Sequence, residues 1–412
     1  MKYLVFLLLI PGLLMAQTYT VDQLIDSGLK NNYGIQQAEL GYEITKSKLN
    51  SSRWNLLPEV SAGFNQTNYF DSNPLDKLNT LSFRVSKKIS LNDSYYFQNK
   101  LAGFDLSTYD LKLNAEKRSF VYEVIQSYIE ILNKQKQLEL QRENLAIQQS
   151  IVDQSKLLFK QKKSTEFELK QSEITLYNVQ IALKNVENDI KNSRQVLFNL
   201  LRMSDENYAL AEIEMPQPGT IAPLDEEKIN DLKLLKRDIE RDDINLTQSK
   251  LSYLPDISLS YNYNKAKQST DFSFDNDNTS HTLSLEASYS LWTFFKNGET
   301  HRQAKLNQKI KKLSYEDKKL TIENQYEQYK TQMEYLNEMS ELYRLKKENT
   351  RSNLDIAIQK HQMGMIQQIE LDKVRYEFLD ASLAYESNRY KMIQLNESIN
   401  YLLSGKLLSK YE

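Results

Sequence analysis

Apolar and polar positions along this chain follow two periods in turn. Val60, Ala62 and Phe64 alternate with Ser61, Gly63 and Asn65, and Leu81, Phe83, Val85, Ile89 and Leu91 alternate with Ser82, Arg84, Ser86, Lys88 and Ser90. Later, Ile257, Leu259, Tyr261 and Tyr263 alternate with Ser258, Ser260, Asn262 and Asn264, and Leu283, Leu285, Ala287, Tyr289 and Leu291 with Ser284, Glu286, Ser288 and Ser290. A period of two sends successive side chains to opposite faces, so each stretch predicts a strand with one apolar and one polar face. The four strands fall at about 60–70, 80–91, 257–267 and 282–292. Lys87 interrupts the apolar face of the second. Each is about ten residues long, enough for a tilted strand to cross hydrocarbon. The connections within each pair, 71–77 and 268–277, are polar, as the extracellular loops of a membrane barrel are. Trp54, Tyr95, Tyr96, Phe97, Trp292, Phe294 and Phe295 lie near the opposite strand ends, where interfacial aromatics belong.

The remainder carries the helical period. From Leu75 to Met215 there is no proline and only Gly103. Val124, Ile131, Leu138, Leu145, Val152 and Phe159 form one seam at coiled-coil spacing, and Leu169, Leu176, Leu183, Ile190 and Leu197 form another. The second seam recurs as Leu371, Phe378, Tyr385, Met392 and Ile399. A helix from about Ser94 to Phe159 would be on the order of 100 Å long. The pieces before Pro58 and after Thr165 are each about half that, so that stacked end to end they match it. Lys162–Glu168 and His361–Glu370 lie between the seams and read as helix reversals. The many Lys and Glu of these helices predict a solvated face.

The two periods occur twice in the same order. Ser52-Arg53-Trp54-Asn55-Leu56-Leu57-Pro58-Glu59-Val60-Ser61 returns as Ser249-Lys250-Leu251-Ser252-Tyr253-Leu254-Pro255-Asp256-Ile257-Ser258, and Asn199-Leu200-Leu201 returns as Tyr401-Leu402-Leu403. The chain thus divides into two internal repeats, 17–215 and 226–405, joined by a proline-rich linker at 216–225 and followed by a tail at 406–412. Before them, Lys2 precedes an apolar run from Tyr3 to Ile10 and a small Ala16, which predicts a secretory signal peptide over 1–16.

Composition narrows the function. The mean hydropathy of −0.62 and 26% charged residues argue against helical membrane spans, but amphipathic barrel strands average to ordinary hydropathy. There is no cysteine, which excludes disulfides, thiolate metal sites and lipidation on an N-terminal cysteine. With 53 basic and 55 acidic residues there is no nucleic-acid footprint. No phosphate-binding Gly-Lys-Ser/Thr loop, His-Glu-x-x-His motif or Gly-x-Ser-x-Gly elbow is present, so the chain reads as neither an enzyme nor a cofactor or metal binder. His281, His301 and His361 are scattered and fit solvated or packing roles.

Four amphipathic strands cannot close a barrel, since the smallest membrane barrels have about eight. Open edges are not tolerated in lipid, so several copies must share one barrel, and three would supply about twelve strands. Helix, Leu-Pro-acid, strand pair, long helix, reversal and helix, twice over, resembles the TolC-like outer membrane efflux protein family. That likeness runs from Tyr19-Thr20-Val21-Asp22-Gln23-Leu24-Ile25 to Leu402-Leu403-Ser404-Gly405. It implies a mainly α chain with a membrane β-barrel: long antiparallel helices building a periplasmic α-barrel, and four strands per protomer in a twelve-stranded trimeric barrel. The homotrimer would sit in outer-membrane lipid and dock a periplasmic adaptor and an inner-membrane pump that supplies the energy. In that family acidic residues past the second reversal line a periplasmic aperture, which on this chain falls on Glu370 with Asp372 nearby, and on Glu168 in the first half. A ring of carboxylates favours cations. Thr165 and Glu168 also fit a capping box, and Gly364 a helix end with positive φ. Leu57-Pro58 and Leu254-Pro255 mark strand entry, with Trp54 and Trp292 as interfacial anchors. An exported trimeric coiled-coil adhesin or stalk is the rival reading. The duplicated hairpin weighs against it. A soluble periplasmic adaptor, rich in glycine in its β-domains, is disfavoured by the 10 glycines.

Overall fold

The computed structural model describes residues 18–70, 76–90, 94–213, 221–268 and 278–408. The signal peptide expected over 1–16 and much of both hairpin connections therefore lie outside the described residues. In order, the elements are β1 (Thr18–Tyr19), α1 (Val21–Asn31), α2 (Tyr33–Trp54), β2 (Glu59–Tyr69), β3 (Asp76–Ser90), α3 (Ser94–Lys160), α4 (Glu166–Leu201), β4 (Ala209–Leu210), α5 (Asn230–Leu251), β5 (Asp256–Gln268), β6 (Asn278–Ser288), α6 (Leu291–Gln362) and α7 (Gln368–Leu402). The chain is mainly helical. It forms two compact units: Met1–Gln36 with Glu116–Asp225 and Ile322–Glu412, and Gln37–Ala115 with Glu226–Thr321. Among the described residues, no helix is long and apolar enough to cross a membrane.

The second unit holds an antiparallel sheet in the order β2-β3-β5-β6. Its register aligns apolar positions in rows: Val60 with Val85, Tyr261 and Leu283 across all four strands, and Ala62 with Phe83 and Tyr263, beside His281 of β6. Val60, Phe64, Leu81, Phe83, Leu259, Leu283 and Leu285 are all exposed, so the sheet's apolar face is bare. Two strand boundaries differ from the sequence reading. β3 begins at Asp76, because its polar start pairs with Tyr69 and Asn68 of β2 instead of forming a loop. β6 runs Asn278–Ser288, not 282–292, and Leu291 and Trp292 open helix α6. The alternation through Tyr289 and Leu291 is equally compatible with a helix start, and the long helical run behind it decides the outcome. Phe97 also departs from the expected interfacial set, being buried. Lys87 has a local explanation: its Nζ donates to the Asn55 carbonyl at 3.3 Å and lies 5.6 Å from the Tyr95 ring centre.

The first unit is built on α3, α4, α6 and α7. Leu24 and Ile25 of α1 pack with Phe120, Val124, Ile125, Tyr128 and Ile131 of α3 and Leu197, Phe198 and Leu201 of α4. Gly28 is required there: a Cβ would lie 2.6 Å from both Leu201 and Phe120 side-chain carbons. The sequence reading did not contain the short parallel pair of β1 with β4. Tyr128 secures it by donating to the carbonyls of Ala211 at 2.6 Å and Tyr19 at 3.2 Å, and burial pushes its phenol up to about 12. The described end of the linker is also pinned, with Ile221 and Leu224 packed on Leu336, Leu395 and Ile399. In the tail, Leu407 is buried and the Leu408 amide donates to Glu397 at 2.6 Å.

The seams need one correction. Leu176, Leu197, Leu371, Phe378 and Ile399 are buried as the heptads require. On α3, Val124, Ile131 and Val152 are buried too, but Phe159 is 40% exposed, and the other buried positions toward the reversal are Gln141, Asn144, Gln148, Ile151 and Ser155. Nor are the helix charges all solvated: Arg194, Asp372, Arg375, Glu386 and Glu397 are buried. Four helices end alike. In α3, α4, α6 and α7 the amides just beyond the end bond back to carbonyls of the last turn, with Lys162, Arg202, Gly364 and Ser404 at positive φ. These are Schellman motifs. The same residue spacing separates Lys162 from Gly364 and Arg202 from Ser404.

Candidate functional site

The two reversals come together in the first unit. At the first, the Lys162 amide donates to Phe159 and the Lys163 amide to Leu158, both at 2.9 Å, closing α3. Thr165 then caps α4: its Oγ1 accepts from the Glu168 amide at 3.2 Å while the Glu168 carboxylate accepts from the Thr165 amide at 3.0 Å. Ser164 adds a hydroxyl at 2.6 Å to the same carboxylate oxygen. These donors, Ser164 foremost and then the Thr165 amide, hold Glu168 below the usual glutamate range. At the second reversal the Gly364 amide donates to His361 and the Met365 amide to Lys360, with Gly364 at φ +72°. Gln367 begins α7 without a side-chain cap, and Glu370 in its first turn is exposed. Here the two halves differ: Glu168 is engaged by a box that Glu370 lacks.

Between the reversals lies a cavity of ≈ 510 Å³ lined by residues that include Ser164, Glu168, His361, Gln367 and Glu370. Phe167, Met363, Met365 and Ile369 beside it are exposed. Asp372 does not join Glu370 at the mouth. It is buried, and burial pushes its carboxyl up, countered by Arg375, which donates to it at 3.4 Å. Arg375, 1% exposed, also donates to Asn144 of α3 and lies 4.5 Å over the Tyr376 ring. His361 is buried as well, and desolvation lowers its imidazole below the usual value despite the nearby charges of Asp372 and Glu168. Among the described residues no group of three or more His, Cys, Asp or Glu could hold a metal ion.

Sequence reasoning missed this polar layer. Its signal was present: Gln368, Asp372, Arg375, Ser382 and Glu386 follow the three-four spacing of a heptad beside the apolar Leu371 and Phe378. Reading only apolar residues as seam positions hid it.

The strand-entry motifs belong to the second unit. Leu57-Pro58 sits between the end of α2 and Glu59 of β2, and Leu254-Pro255 between α5 and Asp256 of β5. Backbone bonds from Leu57 to Trp54 and from Leu254 to Leu251, both 3.0 Å, tighten the helix ends. The following proline has no amide to continue them. Trp54, 73% exposed, and Trp292, 82% exposed, flank this end of the sheet.

A family model described as outer membrane efflux protein matches residues 24–201 and 233–405. No curated protein matches the chain at the sequence level. Among solved structures, CusC is 14% identical with a TM-score of 0.83, covering 94% of this chain and 92% of its own. VceC of Vibrio cholerae is 14% identical with a TM-score of 0.82, covering 93% and 96%. The Campylobacter jejuni CmeC outer membrane channel is 15% identical with a TM-score of 0.80, covering 93% and 85%. Such distant likeness carries the fold, while the family assignment rests on the sequence model.

Proposed function

The chain belongs to the outer membrane efflux protein family, and from that premise we propose that it is the channel-tunnel of a tripartite efflux or type I secretion system. Members of this family are outer-membrane transport channels, not enzymes. In our reading three copies close one twelve-stranded barrel, and the two halves of each chain are internal repeats. The helices form the periplasmic wall, and an adaptor and an inner-membrane pump deliver the cargo, which passes without energy from this chain.

One observation carries the proposal. In the β2-β3-β5-β6 sheet one face is predominantly apolar over its middle, and that face is exposed in the single chain. A soluble protein seldom leaves so large an apolar patch bare, whereas a barrel turns it to lipid. The opposite face carries Ser61, Asn65, Ser82, Arg84, Ser258, Ser260, Asn262, Ser284 and Glu286, the composition of a water-filled lumen. Among the described residues the outer edges of β2 and β6 have no partner strand, and copies meeting edge to edge would satisfy them.

At the reversals we assign the aperture to Glu370, with Glu168 as a secondary contributor. Asp372 is withdrawn from it because it faces Arg375. Single-channel recording of the mature protein in planar bilayers tests both levels. Discrete conductance steps are expected, with cation selectivity that falls in Glu370→Gln and less in Glu168→Gln. Steps with unchanged selectivity would discard the acidic aperture, and failure to insert under varied lipid conditions would discard the channel.

A further inference from the structure

The polar face of the sheet carries one formal charge through its middle. By register, four successive rows run from Ser61-Arg84-Asn262-Thr282 to Thr67-Leu78-Gln268, and every position in them other than Arg84 is Ser, Thr, Asn, Gln, Gly, Ala or Leu. The other charged positions of this face stand at its two ends, with Glu59, Lys88, Asp256 and Glu286 in the rows toward strand entry and Asp76 at the hairpin end.

Arg84 is exposed, and its stem is held in place. Nε donates to Oδ1 of Asn262 at 2.6 Å, a neutral partner directly across the β3-β5 pair. Among the described residues no carboxylate lies at ion-pair distance from it. Glu59, the acidic position next to it in the register, is on the diagonal, where Cβ atoms are about 7 Å apart. A guanidinium has five N–H donors, so the Asn262 contact fixes its plane and leaves the two Nη nitrogens for another acceptor. There is room for one. On the other diagonal Gly63 presents no side chain, and the Ser82 hydroxyl beside it turns away to the Gly63 carbonyl at 3.3 Å. An oriented cation with no counter-charge and a gap beside it suits an anion.

We propose that Arg84 is an anion-binding step in the barrel lumen, where its two Nη nitrogens take the phosphate or carboxylate group of a solute on its way out. This rests on the barrel reading above, in which three copies bring three Arg84 side chains to one level of the lumen. Arginine rings favour anions, and the planar fork matches the paired oxygens of phosphate and carboxylate groups. The uncharged rows around it leave the field at that level to Arg84, and the low-dielectric wall of a barrel focuses it.

The test is block of single-channel current in planar bilayers by inorganic tripolyphosphate, added to each side in turn. Block reports this step separately from the acidic aperture, which repels the same probe. Wild-type current is expected to be blocked, and less so at high salt, where the attraction is screened. Arg84→Gln should raise the blocking concentration about tenfold or more, and Arg84→Lys should keep it within about threefold of wild type. Lys87→Gln removes a like charge from the opposite face of the same strand and should change nothing. Equal block of wild type and Arg84→Gln, or equal weakening by Lys87→Gln, would overturn the step. So would a wild type that conducts in steps unaffected by tripolyphosphate, an outcome that depends on no variant folding. A wild type that gives no conductance steps overturns the channel reading on which the step rests.

Discussion

Lys162 and Gly364 occupy the same left-handed position in two like helix ends, at φ 59° and +72°. For an L-residue with a side chain that conformation costs roughly 1 to 2 kcal/mol, which glycine avoids. Lys162→Gly should therefore slow amide exchange at Lys163, whose N–H closes the motif, by about fivefold, and Gly364→Ala should speed exchange at Met365 by a similar factor. Unchanged exchange in both would mean the ends are held by packing and not by their own backbone. The Glu168 cap makes a pH-dependent prediction. Its carboxyl sits below the ordinary value because Ser164 and the Thr165 amide bond to the ionised form. A depressed carboxyl contributes stability above its unfolded pKa and loses it as pH falls through the folded one. Exchange protection at the Thr165 amide, which donates to that carboxylate, should thus be full at neutral pH and fall below about pH 4. Glu168→Gln should lose that acid dependence, and retention of it would place the titrating group elsewhere.

Helices and strands were legible because each buries or bares a face with a simple period. The long α3 helix, both reversals and the β2 and β5 strands follow from apolar alternation, heptads and proline placement. The β6 boundary was not, since Tyr289 and Leu291 satisfy a strand's alternation and a helix's first turn equally well. The paired β1 and β4 are too short to carry a period. In the site, Glu168 and Gly364 were legible from capping chemistry and backbone needs. The pairing of Asp372 with Arg375 was not, although the two are one turn apart on α7, because the stripe that unites them is polar and Asn144, which Arg375 also meets, comes from α3 at long separation. That stripe has energetic consequences. Arg375→Ala leaves Asp372 buried opposite no cation, and losses of about 3–5 kcal/mol are usual for such a broken pair. Burial works against the ionised Asp372 carboxylate, so Asp372→Asn, which removes that charge and keeps the side chain's shape, should cost far less. The two substitutions together should recover most of the loss, measured as the temperature at which the detergent-stable oligomer dissociates. Equal losses from both single variants would show that the ion pair itself, not the unpaired charge, is what matters.

At the level of the whole molecule, the chain carries two tryptophans, and both flank the strand-entry end of the sheet, one closing α2 and one opening α6. Both are largely exposed, beside an apolar face that would be unfavourable to leave in water. If the sheet spans the bilayer, this end meets the periplasmic interface and the indole rings lie at headgroup depth, where their apolar bodies and N–H groups are both accommodated. Tryptophan emission in reconstituted vesicles should then shift to the blue relative to unfolded chain. It should be quenched strongly by lipids brominated near the headgroup and weakly by lipids brominated near the chain ends. Trp54→Phe and Trp292→Phe should each remove about half the signal without changing that depth order, because both positions lie at the strand-entry end of the sheet. The stronger quenching moving to the chain ends would place this end of the sheet inside the hydrocarbon and require a different register of sheet to membrane. Quenching by aqueous iodide alone would leave the sheet outside the bilayer, and with it the barrel would fall.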